Sequence, residues 1–143
     1  FESSAQGKAA LDDVQNGKKS TLRAHFEAQD LIRMQALAAR LPLSQGFQNA
    51  VMDVVRGARP DSESASKLIS EKVQWGPSPR AAQAFAAICR ARALMRGDHA
   101  PDIDDIKAVA PLILPHRMQL KHAEYRRERE TFRTILDELT RKL

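Results

Sequence analysis

The stretch Trp75-Gly76-Pro77-Ser78-Pro79-Arg80 constrains this chain more than any other. Two prolines two residues apart end any helix that reaches them, because each lacks an amide hydrogen and fixes its own φ. Gly76 can take the left-handed conformation that closes a helix. Ser78 suits an N-cap, and Pro79 the first helical position. The six residues thus read as a helix stop, a corner and a new helix start. Arg80 falls in the first turn of the new helix, where the dipole is positive and an exposed cation costs a few tenths to about 1 kcal/mol. Two readings follow. Arg80 points into water, or it awaits an anion, since a helix N-terminus with a guanidinium is a ready phosphate site.

Composition bounds the rest. A chain of 143 residues with 43% hydrophobic content is long enough for one domain with a real core. Alanine is abundant and β-branched runs are scarce, which favours helix over sheet. The net charge of +5 is modest, with both signs interspersed, so it permits nucleic-acid contact without arguing for it. A single cysteine, Cys89, excludes a disulfide framework or a cysteine zinc site and fits a reducing, cytoplasmic setting. No apolar run approaches the ~18 residues a membrane span needs, and no signal peptide is visible. The chain starts at Phe1 rather than Met, as a segment of a longer protein would.

The pattern predicts an all-α bundle of five to six helices with a long C-terminal helix. Residues 1–20 read as a polar arm or linker, with a weak helical turn over Ala9–Val14. Gly17-Lys18-Lys19-Ser20 imitates a phosphate loop but has Asp12 where the earlier glycine belongs. Residues 21–118 form the helical domain. Its first helix is expected over Thr21–Leu41, with Leu31, Met34, Ala38 and Leu41 on one apolar face and Pro42 as the stop. Ser44 caps a second helix with a stripe of Phe47, Val51, Val54, Val55 and Ala58. Asp61 caps a short third helix carrying Ala65, Leu68, Ile69 and Val73. The fourth, from Pro79 to Arg96, has Ala81, Ala84, Phe85, Ile88, Cys89 and Met95 on several sides, the profile of a central helix, and Gly97 ends it. Asp102 caps a fifth with Asp105 at its third position, and Pro111 kinks or divides it. From His116 to Leu143 the chain reads as one long charged helix, its part beyond residue 118 being the C-terminal extension (119–143). Phe132, Ile135, Leu136, Leu139 and Leu143 form its apolar stripe, and Arg126–Glu130, Asp137–Arg141 and Glu138–Lys142 are i,i+4 pairs. No stretch reads as a strand.

Chemistry is sparse. There is no nucleophile elbow and no His-Glu-x-x-His. His25, His99, His116 and His122 lack metal-ligand spacing, so no metal site is expected. Asp102, Asp104 and Asp105 at a helix start suit capping better than acid–base work. Cys89 among apolar neighbours reads as a small core side chain. Arg90, Arg92 and Arg96 lie on the fourth helix, and Arg126, Arg127 and Arg129 on the last. Glu124, Glu128 and Glu130 interrupt that last run, so a solvated face fits better than a nucleic-acid surface. Arg59, at the second helix end, either bonds free carbonyls there or faces the same anion as Arg80.

Gly76-Pro77-Ser78-Pro79-Arg80-Ala81, followed by an alanine-rich helix, resembles the sensor 2 region of the MoxR family of AAA+ ATPases. Val54-Val55-Arg56-Gly57-Ala58-Arg59 is similar to the helix end that precedes it. Asp105-Ile106-Lys107-Ala108-Val109-Ala110-Pro111 and His116-Arg117-Met118 resemble the segments that close the C-terminal helical lid. The resemblance covers residues 30–118. Walker A, Walker B, sensor 1 and the arginine finger are absent, and Asp102-Ile103 stands where Thr-Pro is common. It implies a lid separated from its nucleotide-binding core, with Arg80 as the nucleotide-sensing residue, Ser78 and Pro79 positioning it, and Arg59 in possible support. It also implies ATP and Mg bound by the missing core, so that the parent is an ATPase while this chain alone carries no catalytic residue and turns over no ATP. The implied partners are that core, neighbouring subunits of a ring and a von Willebrand factor A domain protein. The implied role is chaperone-like maturation of clients. Two other classes stay open: a helical oligomerisation module built on the Phe132–Leu143 stripe, and a basic helical nucleic-acid binder.

Overall fold

A computed structural model describes residues 26–143; the polar arm, the Gly17-Lys18-Lys19-Ser20 stretch and His25 lie outside the described residues. The described residues divide between two units with a boundary at Ile32/Arg33, and the larger, Arg33–Leu143, carries the core. Six α-helices and one small pair of strands make up the described chain.

Helix α1 (Ala28–Arg40) starts later than the periodicity predicts. Phe26 and Glu27 precede it, and the Asp30 carboxylate accepts the Glu27 amide hydrogen at 3.1 Å. It buries no residue, and Leu31 and Met34 of its expected inner face are 56% and 42% exposed. Periodicity fixes which face is apolar, not whether anything covers it. Only Leu41, beyond its end, is buried.

Helix α2 (Gln45–Gly57) follows the expected design. The Ser44 hydroxyl accepts the Phe47 amide hydrogen at 3.1 Å, and Phe47, Val51, Val54, Val55 and the following Ala58 are all buried. Helix α3 (Lys67–Lys72) is shorter than expected and capped by Ser66 rather than Asp61. Asp61 faces Arg59 instead.

The chain then departs from an all-helical path. Val73–Trp75 forms strand β1, antiparallel to β2 (Gln119–Leu120), with Val73 opposite Leu120, Trp75 opposite Gln119 and an irregularity between. The expected single helix over His116–Leu143 is therefore broken. It becomes a 3-10 turn (Pro115–Arg117), β2, a second 3-10 segment (His122–Arg127) and α6 (Glu128–Arg141). Met118 and Leu120 alternate with polar Gln119 and Lys121, a period of two that places both apolar side chains inward only if extended. Lys121 ties this segment down, its amide donating to the Lys72 carbonyl at 2.9 Å and its ammonium to the Ser70 carbonyl at 2.8 Å. Glu124 joins it to both flanks, pairing with Lys72 at 2.8 Å and accepting from the Thr131 hydroxyl at 3.1 Å. The Lys72 hydrogen bond, against a smaller opposing cost of desolvation, holds the Glu124 carboxyl below its ordinary pKa.

Helix α4 (Arg80–Arg96) spans 17 residues and packs on α2 and on α5 (Ile103–Ile113). It buries Ala81, Phe85, Cys89 and Ala93, one residue every fourth position, while Ile88 and Met95 are exposed. It is thus one-sided rather than enclosed. Gly97 ends it with φ 82° in the left-handed region, where the Asp98 amide donates back to the Ala93 carbonyl at 2.9 Å. Helix α5 runs through Pro111 undivided. The α6 stripe of Phe132, Ile135 and Leu139 is buried in the same core as α2, α4 and α5, with Leu136 and Leu143 packed against it. The three expected i,i+4 ion pairs of this segment do not form among the described residues. No helix among the described residues is long and apolar enough to cross a membrane.

Candidate functional site: the Gly76–Arg80 corner

The corner begins where β1 delivers Trp75, 65% exposed, beside a buried Pro77. Gly76 is not left-handed; among the described residues only Gly97 has positive φ. Its position demands a glycine for another reason. A Cβ there would lie 2.6 Å from Arg59 Cα, 2.8 Å from Arg59 Cγ and 2.9 Å from the Ala58 carbonyl oxygen. The corner therefore presses against the turn that ends α2. That turn is closed by the Arg59 amide donating to the Arg56 carbonyl at 3.0 Å and the Ser62 amide donating to the Arg59 carbonyl at 3.1 Å. Arg59 and Gly76, seventeen residues apart in sequence, are neighbours through this contact.

Helix α4 opens at Arg80. Pro79 already has helical angles, φ −54° and ψ −23°, so it does the work expected of a first helical residue. Ser78 caps through its backbone, not its side chain. Its carbonyl accepts the Ala81 amide hydrogen at 2.9 Å, and its hydroxyl makes no capping bond. Ser78, Pro79 and Arg80 are all exposed.

The other arginines of α4 have partners within the protein. Arg90 donates to the Leu41 carbonyl at 2.8 Å, tying α4 to the end of α1. Arg92 Nε lies 3.1 Å from Asp105. Arg96 grips both oxygens of Asp105 and also pairs with Asp98 at 2.7 Å. Asp105 is fully buried and forms a capping box with Asp102, each accepting the other's amide hydrogen at 3.0 Å. Burial opposes its ionisation, but the Arg96 hydrogen bonds, the Asp102 amide and Arg92 outweigh that and hold its carboxyl below the ordinary range, while the same contacts raise Arg96. Burial, and secondarily Asp105, pushes the nearby Cys89 thiol up to about 12, so it is inert as a nucleophile at neutral pH.

Arg80 is the exception on this helix. Among the described residues its side chain has no ion-pair or hydrogen-bond partner, although it stands at the positive end of the dipole. Among the described residues the Arg59 side chain pairs only with Asp61, at 3.6 Å, with the two side chains 42% and 73% exposed. Such a surface pair is worth ~0–1 kcal/mol and yields readily to a better anion.

Other features point away from the corner. A groove of about 420 Å³ between the ends of α1 and α4 is lined by Leu37, Leu41, Pro42 and Leu94, with Arg40, Asp98 and His99 also contributing. Leu94 lies fourteen residues along α4 from Arg80, ~21 Å at 1.5 Å per residue, too far to share one phosphate. His99, His116 and His122 are exposed, and His122 stacks edge-on against Tyr125. No group of three or more potential metal ligands forms among the described residues. The basic residues of α4 that could have served nucleic acid are mostly spent internally, and the α6 stripe that could have served a partner helix is spent on the core.

The sequence reading missed the Gly76–Arg59 contact and the Arg92/Arg96–Asp105 cluster. For the first, only the backbone conformation of Gly76 had a signal, not its contact. A residue before proline is pushed toward extended angles, so Gly76 ahead of Pro77 was a poor candidate for a left-handed stop. The second joins residues nine and thirteen apart across the Gly97 turn, and no local pattern announces it.

Residues 65–139 match the AAA lid domain. Chaperone MoxR1 of Mycobacterium tuberculosis is 31% identical over 93 residues, which is 65% of this chain and 25% of that protein. A crystal structure of a Cytophaga hutchinsonii protein, assigned as an ATPase, superposes with a TM-score of 0.86 at 20% identity, covering all of this chain and 43% of the other. The chain thus spans a quarter of the length of the first and less than half of the second.

Proposed function

We propose, from the premise that this chain belongs to the AAA lid domain family and is the lid of a MoxR-like AAA+ ATPase, that Arg80 is the residue through which it senses bound nucleotide. The observation that carries the reading is the contrast along α4: Arg90, Arg92 and Arg96 are bonded within the fold, while Arg80 is exposed, unpartnered among the described residues and stationed at a helix start. A cation placed against the dipole is favourable once an anion arrives, because the guanidinium then has a partner that the positive helix end also attracts. Arg80 would bind the γ-phosphate of ATP held by the core, with Pro79 fixing the direction of the first turn. Arg59 would supply a second cation by exchanging Asp61 for phosphate. Preorganised charge of this kind favours the transition state of phosphoryl transfer over the ground state. ATP and Mg are the cofactors of the whole protein, bound by its core.

On this reading the lid moves with nucleotide state and passes that motion to neighbouring subunits of a ring. The work done is chaperone-like maturation of client proteins, with a von Willebrand factor A domain protein as partner and the cytoplasm as setting. The similarity to Chaperone MoxR1 supports the chaperone-like part of this reading.

The test is steady-state ATP turnover of the full-length ATPase carrying Arg80→Ala and Arg80→Lys. Loss of one preorganised cation predicts a kcat lowered about 10²-fold by Arg80→Ala, with partial recovery in Arg80→Lys. Turnover within twofold of the parent in Arg80→Ala refutes the role.

A further inference from the structure

Of the described glycines, Gly76 alone would drive a Cβ into backbone. Gly57 would meet only the Leu139 side chain at 3.2 Å, and Gly46 and Gly97 meet nothing within 4 Å. Two of the three atoms facing Gly76, Arg59 Cα and the Ala58 carbonyl oxygen, cannot turn aside as a side chain would. The third is Arg59 Cγ, so the stem of Arg59 lies directly against the corner. Both partners are stiff. Ala58 is fully buried and the Arg59 turn is hydrogen-bonded on both sides. Between Gly76 and Arg80 stand only Pro77, buried and with φ fixed, then Ser78 and Pro79. A shift imposed at Gly76 has little slack in which to dissipate before it reaches Arg80.

We infer that Gly76 is a positioning residue for Arg80: its missing side chain sets the separation between the turn bearing Arg59 and the helix start bearing Arg80, so that the two guanidiniums meet one anion together. The inference rests on the nucleotide-sensing reading of Arg80. It also goes beyond it, because it makes the spacing of two cations the quantity that the corner controls. Inserting one methyl group at 2.6 Å from backbone requires a displacement approaching 1 Å, and a misplacement of that size can cost about 10²-fold in rate.

The experiment is a double-mutant cycle in the full-length ATPase, reading kcat/KM for MgATP and Tm for Gly76→Ala, Arg80→Ala and the pair. If Gly76 acts through Arg80, Gly76→Ala lowers kcat/KM at least tenfold in the parent and less than twofold when Arg80 is already alanine. Its cost in Tm is the same in both backgrounds. An equal fold-loss in both backgrounds overturns the inference and leaves Gly76 a packing residue. Should Gly76→Ala fail to fold, Pro77→Ala loosens the same corner without adding an atom, and its loss must likewise vanish beside Arg80→Ala. If Arg80→Ala by itself retains full turnover, the sensing reading falls and the positioning role falls with it. A strong Arg80→Ala effect with an inert Gly76→Ala sinks the positioning role alone.

Discussion

Asp105 offers the sharpest test of how the domain is held together. Its carboxylate is fully buried, accepts from Arg96 twice and from the Asp102 amide, and faces Arg92. Asp105→Ala removes all of these at once, together with half of the capping box. Hydrogen bonds to charged groups are worth ~1.5–3 kcal/mol each. The losses do not sum, because Arg96 and Arg92 are 32% and 43% exposed and recover water when their partner goes. The net cost should be about 2–3 kcal/mol. Unfolding entropy of ~2.1 cal/mol/K per residue over the roughly 110 residues of Arg33–Leu143 converts this to a Tm lower by about 10 °C, measurable by calorimetry. Asp105→Asn keeps the shape and should lose less. The pH dependence gives a second reading. The folded carboxyl lies below its unfolded value of ~3.9, so its contribution is complete above that pH and disappears as pH falls through the folded value. The stability gap between parent and Asp105→Asn should therefore narrow from pH 7 to pH 3. A Tm within 2 °C of the parent for Asp105→Ala, or a gap that widens in acid, would refute the reasoning.

Further outcomes follow from single features. Gly97→Ala forces a side chain into φ 82° and should cost about 1 kcal/mol by urea denaturation, with Gly97→Asn milder; no loss would mean the helix end relaxes freely. The Cys89 thiol, buried and pushed up to about 12, should resist iodoacetamide at pH 8 in the native chain and react in step with unfolding as urea is added. Prompt labelling without denaturant would contradict its burial.

Helix existence was legible where a cap and a periodic stripe coincide. Ser44 with Phe47, Val51 and Val54, and Asp102 with Asp105, behave as read. What failed were places where tertiary contact overrides local pattern. Charge-rich residues 116–127 have helix-forming composition, yet Met118 and Leu120 both reach the core only in an extended chain paired with β1. The apolar Ile88 and Met95 suggest a helix enclosed on several sides, but α4 has neighbours on one side only, so the i,i+4 line of Ala81, Phe85, Cys89 and Ala93 takes all the burial. Within the site, the helix start and Arg80's exposure could be anticipated from Pro79 and the dipole. The Arg59 contact could not, because it depends on two turns meeting in space.

The discrimination proposed for Arg80 is between nucleotides with and without a γ-phosphate. It is tested most directly by equilibrium binding of a non-hydrolysable ATP analogue and of ADP to the full-length ATPase and its Arg80→Ala variant. Losing a charge-assisted contact made only by the γ-phosphate should collapse the ratio of the two Kd values by about tenfold or more, through weaker analogue binding with ADP affinity unchanged. A ratio that stays the same in Arg80→Ala, or a loss shared equally by both nucleotides, would contradict the account.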